Sequence, residues 1–564
     1  MLLYAPALGA PFVLDDHANV VENPWVHWNA LRLDWLRHTL FDGPTARPVA
    51  YLSFALDHWA HGLDPRGFRA VNIAILVVSA LLVARLARVL LARLRPRVPE
   101  GAERGIAWLA ALLFVAHPLQ IQTTTYIVQR MTGLAVLFTL AALLAFVRAR
   151  ESGSRGGCWR WGALSLVLWL TAVGSKEIAV TGPVAAWLVE WIFWRDCDRA
   201  FARRSLLLVG LPLALFGIAA YAILTRDVGW GYADKPFTPG ERLLTELRVA
   251  VFYLSLFVFP LPSRMNLLHD FPLSHSLLDP PTTGLSLLLL LALVGIAVWC
   301  ARRAPLVTFA LAWCALQLSI ETVVLPLALA FEHRMALPLV GLCIGAAWLV
   351  FAATRLRPQP AWAFGLAAVA ALGLATASRN ALWADELALW TDVAAKSPNV
   401  LAAQNNLGMA LARAGRTTEA EAATLRALHI DPTDAEVLNN LGALLYARGD
   451  RAGALARYGE ALHFAPDHHK ARFNLGMTLG EAGEIERAIE HLEKAAASAP
   501  WEPSIWNGLG ALRLLQGDLD AAETALLHAL ALAPDHADAR ANLEAVHARQ
   551  EAATIPDDQR VPSR

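Results

Sequence analysis

Residues 407–432 read LGMALARAGRTTEAEAATLRALHIDP, and their pattern of small residues returns three more times along the chain. The pair Leu407-Gly408 recurs every 34 residues, as Leu441-Gly442, Leu475-Gly476 and Leu509-Gly510. The same spacing connects the prolines that close each unit, which are Pro398, Pro432, Pro466, Pro500 and Pro534. A fixed period of this length predicts a stack of helical hairpins.

The small residues of each unit have a physical explanation. Gly408 and Ala420 are expected where the two helices of a hairpin cross closely, Gly415 permits the tight turn between them, and Pro432 ends the second helix. The pattern resembles the tetratricopeptide (TPR) family. We predict a TPR solenoid over 401–549, preceded by a linker helix or half repeat over 379–400 and followed by a polar tail over 550–564. The solenoid would contain four repeats, 401–434, 435–468, 469–502 and 503–536, and a capping helix.

The part of the chain before the repeats has the composition of a membrane protein. Of the 564 residues, 56% are hydrophobic and only 17% are charged, whereas about 25% is usual in soluble proteins. The excess of apolar residues lies before residue 380, in runs of about membrane length. We therefore predict an all-α fold with a polytopic membrane domain over 1–378 and ten spans, or eleven with an N-terminal one. The ten are 70–92, 105–118, 128–148, 159–174, 178–194, 205–225, 283–300, 306–327, 335–353 and 361–378.

The arginines between these spans predict the orientation. The short basic loops are expected in the cytoplasm, which places residues 15–69 and everything after 379 on the outer side. We expect a bacterial inner-membrane protein whose repeats are periplasmic. The apolar stretch 246–262 then lies between two outer loops and would be re-entrant or interfacial, unless one basic loop breaks the rule. Met1–Leu14 is too short to span ~30 Å of hydrocarbon, and we expect a first span shortened by the choice of start site.

Charge and cysteine content exclude two other classes of function. Residues 401–549 contain 20 Asp and Glu against 13 Lys and Arg, an acidic balance that argues against a nucleic-acid partner. The cysteines have neither metal-site nor redox spacing, so we interpret them as ordinary residues of the membrane domain. They are Cys158, Cys197, Cys300, Cys314 and Cys343.

Ionisable residues mark the predicted outer ends of the spans. Asp15 and Asp16 stand side by side in the first outer loop, where carboxylates can act as a general base or hold a divalent cation. An Asp-Asp pair in a loop is more often a solvated turn, and charges at span ends can simply anchor helices. Ionisable residues inside spans, however, are rare and tend to be functional. The further candidates are Arg47, His117, Arg130, Lys176, Glu177, Glu332, His333 and Arg334.

Six stretches together resemble the membrane-bound O-mannosyltransferase-like proteins with C-terminal TPRs, of the GT-C glycosyltransferase superfamily. They are FVLDDHANVVENPWV (12–26), RPVAYLSFALDHWAHGLDPRGFRAVN (47–72), HPLQIQTTTYIVQRMTGLAVLF (117–138), SKEIAVTGP (175–183), ETVVLPLALAFEHRMALP (321–338) and RNALWADELALWTDVAAKSPN (379–399). The resemblance implies transfer of a sugar from a polyprenyl-phosphate sugar to a Ser or Thr hydroxyl on the outer face. The repeats would bind the acceptor protein.

The resemblance also implies roles for the candidate residues. Asp15 and Asp16 fall at the acidic motif of the first outer loop. One of them would deprotonate the acceptor hydroxyl, or both would order a divalent cation such as Mg²⁺ or Mn²⁺, and no other cofactor is expected. The donor phosphate would be bound by Arg47, Arg130, Lys176, His333 and Arg334. Supporting polar roles would fall to His117, Glu177 and Glu332.

Two other functions remain open from the sequence. The chain could be a non-catalytic membrane scaffold that carries a peptide-binding TPR array. A transporter ranks last, because the spacing of the spans shows no inverted repeat.

Overall fold

The computed structural model describes residues 3–37, 39–40, 47–194, 235, 237–324 and 327–554. These residues form helices and connecting turns with no strand among them, so the predicted all-α fold is confirmed. The chain divides into two compact units, Met1–Leu389 and Trp390–Arg564. The division falls inside the predicted linker 379–400.

The first unit carries the apolar helices of a membrane protein. Six described helices are long and apolar enough to cross a membrane: Pro65–Leu91, Ile127–Glu151, Thr282–Cys300, Pro305–Thr322, Glu332–Ala353 and Pro358–Trp383. A seventh span is formed if Glu100–Ala116 and Pro118–Thr124, which meet at a bend of 57°, count as one. Each of these overlaps a predicted span. Predicted spans 159–174 and 178–194 fall on the helices Arg155–Val173 and Gly182–Phe193, which are not among the six, and 205–225 lies outside the described residues.

The helix Pro239–Val258 contains much of the stretch for which we predicted a re-entrant path. A capping box begins it, because Thr238 Oγ1 accepts from the Glu241 N–H and the Glu241 carboxylate accepts from the Thr238 N–H. The helix ends at Val258, just before Pro260, whose ring cannot continue the backbone hydrogen bonding. The proline break is therefore as expected, and the re-entrant path stays a prediction.

The second unit is the predicted array of helical hairpins. Gly415 and Gly449 occupy the turns with φ of +75° and +88°, a region where side chains are strained. A Cβ on Gly442 would lie 2.5 Å from Cε1 of Tyr458, so the close crossing of the two helices requires glycine there. The helices are Leu401–Arg413, Thr417–Ile430, Ala435–Ala447, Arg451–Phe464, His469–Glu481, Ile485–Ser498, Pro503–Gln516, Leu519–Leu532 and Ala537–Thr554.

Candidate active site

A broken helical segment organises the polar residues of the first unit. The central segment, as we call residues 117–133, consists of the short helical pieces Pro118–Gln120, Ile121–Thr124 and Ile127–Gln129 and the start of the helix Arg130–Glu151. Residues 116–128 are all buried. Buried backbone outside regular helix still needs partners for its N–H and C=O groups, and here side chains from distant parts of the chain provide several of them.

The two neighbouring aspartates have different environments. Asp16 is fully buried, and its carboxylate accepts hydrogen bonds from the backbone N–H groups of Val128 at 2.7 Å and Val13 at 3.1 Å. Asp15 is exposed, and its backbone N–H donates to the Tyr126 hydroxyl at 3.0 Å. Asp16 therefore attaches the loop to the central segment, whereas Asp15 remains exposed.

A buried arginine strengthens this attachment. The Arg69 guanidinium donates to the carbonyl oxygens of Thr125 at 2.9 Å and Pro11 at 2.7 Å, and also to that of Ala10. Between these contacts and Asp15, the backbone of Leu14 adopts a φ of +46°. A bulky residue in that region costs about 1–3 kcal/mol and persists only where the surroundings enforce it. The loop that presents Asp15 is thus held in one strained conformation.

Burial raises the pKa of Asp16 to about 7, from an ordinary value of 3.8. The folded protein then binds this proton more tightly than the unfolded chain, so Asp16 makes the protein progressively less stable as the pH rises from about 4 to about 7. Asp16→Asn is expected to remove this part of the pH dependence. The thermal unfolding midpoint, measured in detergent from pH 4 to 8 for both proteins, checks the result. Parallel pH profiles would contradict it.

A second group of charges lies at the other end of the central segment. The Lys176 ammonium donates to Thr132 Oγ1 at 3.1 Å and pairs with the Glu321 carboxylate at 2.9 Å, and both residues are buried. Arg47 contacts the neighbouring Met131, and Arg334, which follows His333, pairs with Glu246. Glu246 also pairs with Arg242, which donates to the Glu321 backbone carbonyl. The structure thus brings together four of the five residues predicted to bind the donor phosphate.

The cations of this group differ in their accessibility. Arg47 forms a bidentate pair with Glu177, at 2.9 and 2.6 Å, and contacts Met131 Sδ of the central segment at 3.2 Å. Its side chain is 32% exposed, compared with 5% for Lys176 and 1% for Arg334. Arg334 donates to the backbone carbonyls of Leu329 and Ala328 at 2.8 and 2.5 Å. Arg47 is therefore the most accessible of these three cations.

Two further predicted site residues, Arg130 and His117, are engaged in internal contacts. Arg130 is fully buried, and it pairs with Asp57 at 2.5 Å and donates to Asn72 Oδ1 and the Phe68 carbonyl, both at 2.7 Å. The ring of His117 contacts the Phe257 carbonyl at 3.0 Å and accepts from the Leu119 N–H. The prediction that Arg130 binds the donor phosphate gains no support from this geometry, because its guanidinium has no access to a ligand.

The predicted trio at 332–334 separates into distinct environments. Glu332 is fully buried and accepts from the Asn266 N–H at 2.6 Å, with His269 at 3.3 Å and Arg379 at 3.6 Å. His333 instead contacts Gln122 of the central segment, since its backbone N–H and its Nδ1 both lie 3.2 Å from Gln122 Oε1. Glu332 therefore anchors the loop around residue 266, and His333 is a neighbour of the Lys176 group.

Three residues for which the sequence predicted no role belong to the group around Asp16 or to the group around Lys176. Glu321 is an isolated acidic residue in an apolar run, and this was a usable signal, since charges within spans are seldom incidental. Glu246, which lies between Arg242 and Arg334 at 3.3 and 3.7 Å, stands among the charged residues Glu241, Arg242 and Arg248 and carried no such signal. Tyr126 carried none, because a tyrosine near a span end is common.

The predicted metal site does not fit the geometry of the two aspartates. Both carboxylate oxygens of Asp16 are used by backbone N–H groups, and the residue is fully buried. In the part of the chain that the structure describes, no three His, Cys, Asp or Glu side chains converge as metal ligands. We therefore derive no chemical step through a metal.

Comparisons with known proteins agree with both units. Models of the tetratricopeptide repeat match residues 383–435, 445–507 and 479–546. The chain is 25% identical to "Protein O-mannosyl-transferase F38B6.6" of Caenorhabditis elegans, over 76% of this chain and 61% of that protein. It is 30% identical to "Protein O-mannosyl-transferase Tmtc2" of Drosophila melanogaster, over 46% of this chain and 28% of that protein. It is 32% identical to "Protein O-mannosyl-transferase TMTC1" of Mus musculus, over 32% of this chain and 20% of that protein.

These alignments cover between 20% and 61% of the relatives' own lengths. Among solved structures, a thermophilic TPR protein of Thermus thermophilus matches with 22% identity and a TM-score of 0.27, over 29% of this chain and 89% of that one. The chain therefore resembles the protein O-mannosyl-transferases and carries C-terminal tetratricopeptide repeats.

Proposed function

We propose that this chain is a membrane glycosyltransferase that moves a mannose-like sugar from a polyprenyl-phosphate sugar to Ser or Thr hydroxyls of proteins. The observation that carries the proposal is the exposed carboxylate of Asp15, on a loop that Asp16 and Arg69 attach to the central segment. A carboxylate held in one place can accept the proton of an acceptor hydroxyl, and the cations at the other end of the central segment can stabilise a departing phosphate.

In the proposed reaction Asp15 accepts the proton of the acceptor hydroxyl. The acceptor oxygen forms a bond to the anomeric carbon of the sugar, and the bond from that carbon to the phosphate oxygen breaks. Polyprenyl phosphate leaves with the electron pair. The growing negative charge on its phosphate is stabilised by Arg47, after exchange of the Glu177 carboxylate for the phosphate. Lys176 and Arg334, which pair with the Glu321 and Glu246 carboxylates, add positive charge to the same group.

We propose that the repeats bind the acceptor protein. Support comes from the TPR architecture, which presents extended binding surfaces, and from the acidic balance of residues 401–549, which favours basic acceptor segments. We further propose a bacterial inner membrane location with Asp15 and the repeats on the periplasmic side. The distribution of arginines between the spans supports this orientation.

Membranes containing the protein, incubated with labelled polyprenyl-phosphate mannose and total envelope protein, test the proposal. We expect label on protein that mild base releases from Ser and Thr by elimination, and none in membranes that lack the chain. A scaffold would give the same labelling with and without the chain, and this result would refute the enzymatic proposal.

Arg47→Gln tests the phosphate-binding role separately. Loss of the bidentate cation is expected to raise the KM for the donor by about 10-fold or more, because a charge-assisted pair with phosphate is removed. Arg248→Gln is the matched control, since Arg248 contacts the Pro272 carbonyl at 2.8 Å and belongs to neither charged group. Initial rates at varied donor concentration measure the change. Equal KM values in the two variants would contradict the assignment.

A further inference from the structure

We infer that Tyr126 is a positioning residue whose hydroxyl orients the Asp15 carboxylate toward the acceptor hydroxyl. This inference rests on the proposed role of Asp15 as the base. Tyr126 belongs to the central segment, at the turn between the helical pieces Ile121–Thr124 and Ile127–Gln129. It lies 111 residues away in sequence from the loop that it contacts.

The hydroxyl of Tyr126 can serve both the backbone and the side chain of Asp15. Its oxygen accepts the Asp15 N–H at 3.0 Å. The hydroxyl proton then remains available as a donor, and Asp15 carries its carboxylate on the same residue whose N–H this hydroxyl accepts. In the inferred arrangement one hydroxyl holds the backbone of Asp15 and also orients its carboxylate.

The hydroxyl is itself held in place by its surroundings. The side chain of Tyr126 is 1% exposed, and its ring lies against that of Trp383 with centroids 6.2 Å apart. Two residues further along, the Val128 N–H donates to Asp16, so two hydrogen bonds join the turns 13–16 and 125–128. A hydroxyl held this firmly loses little conformational freedom when it orients a neighbouring carboxylate.

The protonation state of Tyr126 suits this role. Burial, together with the charges of Asp15 and Asp16, raises the pKa of Tyr126 well above its ordinary value of 10.0. The side chain therefore keeps its proton at every pH at which a membrane enzyme works, and remains a hydrogen-bond donor.

A second tyrosine that contacts the same loop, Tyr51 of the helix Pro48–His61, provides a matched control. The Tyr51 hydroxyl donates to Asn19 Oδ1 at 2.5 Å, and Asn19 Nδ2 in turn donates to the Asp15 carbonyl at 2.8 Å. Tyr51 thus stabilises the same loop without reaching the carboxylate. A merely structural contribution of tyrosine hydroxyls predicts equal effects at the two positions, whereas orientation of Asp15 predicts an effect at Tyr126 alone.

Tyr126→Phe and Tyr51→Phe are compared in the labelled-mannose assay, with rates normalised to monodisperse protein so that loss of folded material does not imitate an effect. We expect Tyr126→Phe to lower kcat by about 10- to 100-fold with the donor KM unchanged within about twofold, because a misdirected base slows the chemical step and leaves donor binding intact. Tyr51→Phe is expected to keep both constants within about twofold of the original. Equal kcat in the two variants would overturn the inference.

A double-mutant cycle separates this inference from the proposed function. If Tyr126 acts through Asp15, Tyr126→Phe has no further effect on the residual rate of Asp15→Asn. An additional loss in the double variant would refute an action through Asp15. Full activity of Asp15→Asn would instead remove the proposed function itself, while an inactive Asp15→Asn beside a fully active Tyr126→Phe would remove only the role of Tyr126.

Discussion

Asp15→Asn is expected to lower sugar transfer by about 10²- to 10⁴-fold while the protein stays folded, because general-base catalysis contributes about this factor. The side chain is exposed, so the substitution leaves no buried group without a partner. The Asp15 N–H keeps its bond to Tyr126, and Asp16 still attaches the loop to Val128. Initial rates with labelled polyprenyl-phosphate mannose, beside the thermal unfolding midpoint, measure the two expectations.

Asp34→Asn is the control for the removal of a charge. Asp34, like Asp15, lies before the helix Pro48–His61 in the sequence. Its carboxylate pairs with Arg32 at 3.1 Å, and its side chain is 49% exposed. We expect it to retain transfer within about twofold. Loss of activity in both variants would indicate a general charge effect, and retention in both would favour the scaffold function.

Arg130→Met is expected to destabilise the protein by about 3–5 kcal/mol, since it leaves a buried carboxylate without its partner. The Asp57 carboxylate lies 2.5 Å from the guanidinium, and Asn72 and the Phe68 carbonyl lose their donor as well. The chain contains 20 tryptophans, so thermal unfolding in detergent can be followed by their fluorescence. The double variant Arg130→Met with Asp57→Asn is expected to recover part of the loss.

The exposed pair of Arg88 and Glu103 provides the comparison. Its atoms are 3.3 Å apart and the Arg88 side chain is 48% exposed, so Arg88→Met is expected to cost less than about 1 kcal/mol. Similar losses in the two variants would contradict the structural role of Arg130. An Arg130→Met protein of undiminished stability with a raised donor KM would support the earlier prediction that Arg130 binds phosphate.

Sequence alone was sufficient for the features that repeat or that extend along the chain. The 34-residue spacing predicted the hairpins, and Gly415 and Gly442 occupy the turn and the helix crossing for the reasons inferred. The apolar runs predicted the spans, because transfer into hydrocarbon depends on the composition of a continuous segment. Both signals depend only on residues that are close together in the sequence, so the hairpins and the spans can be predicted without knowing the tertiary contacts.

The site required the tertiary structure, because adjacent or similarly placed residues acquire different environments from distant contacts. Asp15 and Asp16 are indistinguishable in sequence, yet Val128, 112 residues away, engages Asp16 and leaves Asp15 exposed. Arg47 and Arg130 both stand at helix starts, but Asp57 and the Phe68 carbonyl saturate only Arg130. Periodicity and composition thus determined two classes of helices and the list of candidate residues. Which candidate can meet a substrate was decided by burial and hydrogen bonding, and these depend on the folded arrangement around residues 117–133.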